Sequence, residues 1–87
     1  MTIDARLKRI LYRARHRGMQ ETDRLLGRFA ERRLTELSAA QLDRFEALLD
    51  QPDNDLFEWI TGKRPAPEAF ANDVLALLKT FARDPNR

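Results

Sequence analysis

The chain has 87 residues, of which 43% are hydrophobic and 34% are charged, and its net charge is +2. A chain of this size supports one hydrophobic core beneath a charged surface, so we expect a single domain over 1–87 and exclude a fully disordered chain. It has no cysteine and one histidine, His16, which excludes disulfides, thiol catalysis and metal sites rich in Cys or His.

The composition also limits where the protein works. No apolar run reaches the roughly 20 residues that a membrane helix needs. Residues 1–20 hold no uninterrupted apolar stretch of the kind found in a secretory signal. We therefore expect a cytoplasmic protein that does not insert into a membrane.

Hydrophobic residues recur at helical spacing along the whole chain, and no segment alternates like a strand. The first helix is predicted over 3–16 from one apolar face, made of Ile3, Leu7, Ile10, Leu11 and Ala14. It should end near Gly18, because glycine adopts the positive φ that often closes a helix. A similar pattern from Thr22 to Ala30 predicts a second helix over 20–35.

Two local signals predict the third and fourth helices. Ser38 followed by Gln41 is a capping box, which predicts a helix over 39–50. Pro52 should end that helix and allow another at once, over 53–60, which Gly62 would close.

A proline-containing loop then precedes the fifth helix, predicted over 67–82 with the cleanest apolar stripe of the chain. Five helices with short connections predict an all-α, single-domain helical bundle. We expect its core to contain Ile10, Leu11, Leu26, Phe29, Phe45, Leu49, Leu56, Ile60, Val74, Leu77 and Leu78. Trp59 is interpreted as a core or half-buried residue.

Charge is distributed unevenly along the chain. Residues 1–33 carry ten basic side chains against four acidic ones, and residues 34–60 carry one against seven. Such a separation steers partners in some proteins and is only a solvated surface in others. The aromatic residues do not interleave with the arginines as a stacking surface for nucleic acid requires, and no recognition helix is evident. We therefore expect no nucleic-acid partner.

The residue types leave little room for catalysis. The single serine, Ser38, is explained as a helix cap, and no nucleophile neighbours His16 in the sequence. The three glycines are isolated and form no phosphate-binding loop. The acidic run that includes Asp53 lacks the glycine and final glutamate of a calcium loop and suits a helix start. We expect the chain to bind no metal or cofactor by itself.

The segment from Arg13 to Asp23 is basic before Gly18 and acidic after it, with Met19 between the two halves. Its simplest interpretation is a glycine cap followed by the first turn of the next helix. Arg17-Gly18-Met19-Gln20-Glu21 also contains an RGxxE motif.

The chain resembles the small flavinylation assembly factors of succinate dehydrogenase, the SdhE proteins of bacteria and the mitochondrial succinate dehydrogenase assembly factor 2. The resemblance rests on the ordered pair RGMxExD at 17–23 and DxDLFxWxTG at 53–62, and it covers roughly Ile3 to Phe81. Phe45 and Phe57 stand where tyrosine is common in that family.

The resemblance implies a chaperone-like helper and not an enzyme. Members of the family promote covalent attachment of FAD to a histidine of the flavoprotein subunit of succinate dehydrogenase, and in some bacteria of fumarate reductase. The FAD would belong to that client, and the helper would align the client histidine with the flavin. An alternative is an antitoxin-type protein-binding module, since bacterial members have also been described as half of a toxin–antitoxin pair.

The resemblance also implies a partner-binding surface, made of Arg13, Arg17, Gly18, Met19, Glu21 and Asp23. Arg17 offers a planar fork for a carboxylate or for carbonyl groups, and Gly18 allows a close approach to the backbone. Met19 is a flexible apolar contact, and Glu21 accepts from a client donor or orders Arg17. Asp23 caps or orients the second helix. If this surface docks a client, Arg17, Gly18 and Glu21 should be substantially exposed.

Overall fold

The computed structural model describes residues 5–83, and over this range every regular element is helical. The five α-helices are α1 (Ala5–Arg15), α2 (Gln20–Arg33), α3 (Ala39–Leu49), α4 (Asp53–Thr61) and α5 (Asp73–Arg83). Short 3-10 helices, Leu34–Glu36 and Glu68–Phe70, follow α2 and precede α5. The predicted all-α class is confirmed, while Ile3 and the predicted start of the first helix lie outside the described residues.

Two of the predicted helix ends have the expected chemistry. The Ser38 side chain accepts from the Gln41 N–H at 3.2 Å, and the Gln41 side chain accepts from the Ser38 N–H at 2.9 Å, which completes the capping box of α3. Gly62 closes α4 with φ 82°, a left-handed conformation that favours glycine. Gly18 differs, because its φ is not positive and its role lies in a close contact described below.

The fifth helix begins at Asp73 and not at residue 67 as predicted. The Asn72 side chain accepts from the Leu75 N–H at 3.1 Å, which caps α5 at this point. The Glu68–Phe70 turn before it lets Phe70 stack on Trp59, with ring centroids 5.4 Å apart. The predicted helix was therefore too long at its start. The spacing of the apolar residues continues through the turn and the cap and does not show that they interrupt the helix.

The core lies where the five helices meet. Phe29 of α2 packs between Phe45 and Phe81, with centroids 5.5 and 5.6 Å away. Nine of the predicted core residues are buried: Ile10, Leu26, Phe29, Phe45, Leu49, Leu56, Ile60, Val74 and Leu78. Burial of Trp59 confirms its core interpretation. No helix within residues 5–83 is long and apolar enough to cross a membrane.

Two core predictions are corrected. Leu77 is 42% exposed and Leu11 is half-buried at the edge of the core. Because α5 packs through residues 74, 75, 78 and 81, Leu75 takes the inward position and Leu77 faces outward.

Candidate functional site

The turn between α1 and α2, residues 16–19, lies against the junction of α3 and α4. The Arg17 side chain crosses this interface and is only 10% exposed. Its Nε donates to Asp53 Oδ1 at 2.6 Å and its Nη2 to the Gln51 carbonyl at 2.7 Å, and Nη1 donates to the Leu49 carbonyl. One guanidinium thus joins the last carbonyl of α3 and a carbonyl of the α3–α4 connection to the first carboxylate of α4.

Asp53 completes the contact from the other side. Its Oδ2 accepts from the backbone N–H groups of Gly18 at 2.7 Å and Met19 at 3.1 Å. Its side chain is 16% exposed, so the ion pair with Arg17 is largely shielded from water. We call Arg17, Gly18 and Asp53 the turn clamp. It fixes the conformation of the RGxxE turn through groups 36 residues apart in the chain.

Gly18 permits a close contact with Asp53. A Cβ at position 18 would lie 3.0 Å from Asp53 Oδ2, the atom that accepts the Gly18 N–H. A side chain here would force the carboxylate to shift by a few tenths of an ångström. The close approach that glycine permits is thus used within this protein.

Asp23 and Thr22 hold the turn from α2. The Asp23 carboxylate accepts from the Arg17 backbone N–H, and the Thr22 hydroxyl donates to the Met19 carbonyl at 2.9 Å. Thr22 is fully buried, although its side chain is polar. Asp23 therefore orders the turn that precedes α2, which accords with the structural role suggested for it.

The structure sorts the predicted site residues into two groups. Arg17 is not substantially exposed, so the expectation of its exposure is wrong: its guanidinium is occupied inside the clamp. Arg13 pairs with Asp50 at 2.5 Å on the α1–α3 side. Glu21 and Gly18 are exposed as expected, and Met19 is partly exposed. Partner binding by these residues stays a prediction.

Sequence reasoning missed two features of this region. Asp53 was interpreted only as a helix-start carboxylate, although it stands first in the second family motif. Tyr12 is 63% exposed and contacts His16 with ring centroids 4.1 Å apart, so an aromatic pair lies on the surface directly before the turn. The fact that Tyr12 falls off the apolar face of α1 was a signal that could have identified it.

Comparison with known proteins shows the family of this chain. A family profile described as the flavinator of succinate dehydrogenase matches residues 8–82. The chain belongs to this family. The match confirms the resemblance drawn from the two motifs, because it spans both the RGxxE turn and the segment that begins at Asp53.

Curated relatives of the flavinator family agree with that assignment. Proteins named succinate dehydrogenase assembly factor 2, mitochondrial, occur in Dictyostelium discoideum (43% identical over 77 residues, 88% of this chain and 55% of the relative), Danio rerio (37% over 84 residues, 94% and 53%) and Aedes aegypti (38% over 81 residues, 91% and 50%). The chain thus spans about half the length of these relatives. Their names give no support to the antitoxin alternative.

The turn clamp of this flavinator-family protein should make its stability depend on acid. Burial alone raises the pKa of Asp53, but the hydrogen bond from Arg17, the backbone N–H donors and the Arg17 charge outweigh it and hold the pKa below its ordinary value of 3.8. A carboxyl whose pKa is lowered by folding stabilises the fold above its unfolded pKa, and this contribution is lost as the pH falls through the folded pKa. The window therefore lies below about pH 4.

We expect the free energy of unfolding to fall more steeply with acid in the wild type than in Asp53→Asn, which has no carboxyl to titrate there. Urea titrations from pH 5 down to pH 2.5, followed by circular dichroism, measure this slope. Asp73→Asn is the comparison variant. Hydrogen bonding from Gln41 lowers the pKa of Asp73 as well, but that carboxylate is exposed and not part of the turn clamp. Equal slopes for the wild type and Asp53→Asn would contradict the prediction.

Proposed function

We propose that this chain is an assembly factor that binds the flavoprotein subunit of succinate dehydrogenase and promotes covalent attachment of FAD to a histidine of that subunit. Family membership supports the proposal at the level of the whole chain. The observation that carries it at the level of the site is the clamped RGxxE turn. The turn is held by hydrogen bonds from within, while Tyr12 of α1 and Glu21 of α2 are exposed on either side of it.

The arrangement favours a helper over an enzyme. Ser38 is occupied as the cap of α3, and His16 packs against the Tyr12 ring. We infer that the bond between flavin and histidine is made by the client and its FAD, and that this chain binds no FAD of its own. A rigid docking surface can lower the barrier by holding the client where its histidine and the flavin are aligned.

Two finer points belong to the same proposal. Fumarate reductase is the second client that we consider, because the family resemblance implies that some bacterial members act on its flavoprotein subunit as well. The cytoplasmic location inferred from the sequence remains a prediction, and the relatives named above are mitochondrial proteins.

Deletion of the gene tests the proposed function. Covalent flavin on each flavoprotein subunit is measured by in-gel fluorescence after denaturation, which removes FAD that is not covalently bound. We expect the succinate dehydrogenase band to lose its fluorescence at unchanged protein level, and a plasmid copy of the wild-type gene to restore it. Undiminished fluorescence in the deletion strain would overturn the proposal, and loss only from fumarate reductase would reassign the client.

A further inference from the structure

A shallow notch lies on α2, starting at the last residue of the RGxxE motif. Leu25 and Phe81 form its apolar floor, and Glu21, Arg24 and Arg28 form its rim, around about 230 Å³ of open space. The α2 residues fall at positions i, i+3, i+4 and i+7, which places them on one face of the helix. We call these five residues the α2 notch.

The two arginines of the α2 notch differ from most other arginines of the described chain. Ion pairs with Asp or Glu within residues 5–83 are made by Arg6, Arg13, Arg15, Arg17, Arg33, Arg44 and Arg64. Arg24 and Arg28 are exposed and make no such pair within residues 5–83. Like charges one helical turn apart repel each other, so an anionic group of a partner would stabilise this pair of cations.

Glu21 restricts which partner suits the notch. It also makes no ion pair within the described chain, although Arg24 is only three residues away. The phosphate backbone of a nucleic acid would be repelled by this carboxylate and would place charged groups against the apolar floor. A protein segment suits all three features, because an apolar side chain covers the floor, a carboxylate meets the two guanidinium groups and a backbone N–H donates to Glu21.

We propose that the α2 notch binds a segment of the client flavoprotein in which an apolar side chain lies next to an Asp or Glu. This inference rests on the proposed function and names the chemistry of the contact that it requires. The two arginines bind the carboxylate of the partner. The notch extends the docking surface from the RGxxE turn along α2. It therefore assigns a binding role to Arg24, Leu25 and Arg28, which lie outside the motif.

The test compares two double variants that remove the same charge. Arg24→Gln/Arg28→Gln alters the notch, whereas Lys79→Gln/Arg83→Gln removes two cations from a different groove, between α4 and α5. Binding of each purified chain to the purified flavoprotein subunit of succinate dehydrogenase is measured by calorimetry at low and moderate salt. We expect the notch variant to raise Kd by about tenfold or more and the groove variant to change it by less than about twofold. Thermal melts verify that both variants fold.

The outcomes separate the two proposals. If the wild type does not bind the flavoprotein subunit, the proposed function fails and the notch proposal fails with it. If the wild type binds and the two double variants have the same Kd, the proposed function stands and the notch proposal is overturned. An equal Kd would mean that the position of the two arginines does not matter. A wild-type dimer that dissociates in the notch variant, seen by analytical ultracentrifugation, would also overturn it, since the occupant would then be a second copy.

Discussion

Replacing Asp53 with alanine should lower the free energy of unfolding by about 3–5 kcal/mol, because it leaves a buried charge without its partner. The Arg17 guanidinium would keep only two carbonyl acceptors, Leu49 at the end of α3 and Gln51 in the connection to α4. The Gly18 and Met19 N–H groups would lose the acceptor that they share. A loss of this size is a large fraction of the 5–15 kcal/mol that typically stabilises a small domain. Urea unfolding followed by circular dichroism measures it.

Asp55→Ala is the matched control for Asp53→Ala. Asp55 also lies in the first turn of α4 and also pairs with an arginine, Arg64, but the two side chains are 38% and 49% exposed, against 16% and 10% for Asp53 and Arg17. An exposed pair of this kind contributes about 0–1 kcal/mol. Equal losses in the two variants would show that a general preference for acids at the helix start, and not the turn clamp, stabilises this junction.

The clamp changes how an arginine variant of the motif has to be interpreted. Arg17→Ala removes a largely buried side chain that spans α3 and α4, so we expect it to destabilise the fold as well as to impair function. Failure of Arg17→Ala in a flavinylation assay therefore does not identify a docking contact. Arg17→Lys keeps the charge but loses the planar fork, and a coupling measured with Asp53→Ala in a double-mutant cycle isolates the pair.

Much of the fold follows from local sequence signals, and the clamp does not. The capping box at Ser38 and the left-handed Gly62 each involve residues close in the chain, and both were predictable from residue type and spacing. Arg17 and Asp53 are 36 residues apart, and each was explained separately by a local rule. Periodicity does not show which turn packs against which helix end, so a motif arginine looked like a surface residue.

The same limit applies to the core and to the docking surface. The helical spacing of Val74, Leu78 and Phe81 is compatible with a buried face that extends to Leu75 or to Leu77, and only the cap at Asn72 and the packing of α5 decide which one is buried. In the RGxxE motif, residue types alone do not separate the inward Arg17 from the outward Glu21. In the structure, Arg17 and Gly18 hold the turn in its conformation, and Glu21 is exposed. The functional test is therefore best made at Glu21.

Glu21→Ala should abolish most function while it leaves the fold nearly intact. Glu21 is exposed and makes no ion pair within the described residues, so its removal should cost only about 0.3–1 kcal/mol, the value of a carboxylate in the first turn of a helix. If it accepts a hydrogen bond from the client in a shielded interface, its loss should weaken binding by about 2–5 kcal/mol. Complementation of the deletion strain, scored by covalent flavin on the client, measures the functional effect alongside thermal melts.

Glu68→Gln is the matched control for Glu21, since Glu68 is also an exposed glutamate in a first helical turn and lies outside the motif and the notch. We expect Glu68→Gln to restore flavinylation fully, and Glu21→Gln to restore more than Glu21→Ala but less than the wild type, because the amide oxygen still accepts a hydrogen bond but the charge is lost. Normal flavinylation by both Glu21 variants would show that the glutamate contributes only to the helix start. Because the turn clamp is intact in these variants, a chain that melts like the wild type but leaves the client without covalent flavin locates the docking contact at Glu21.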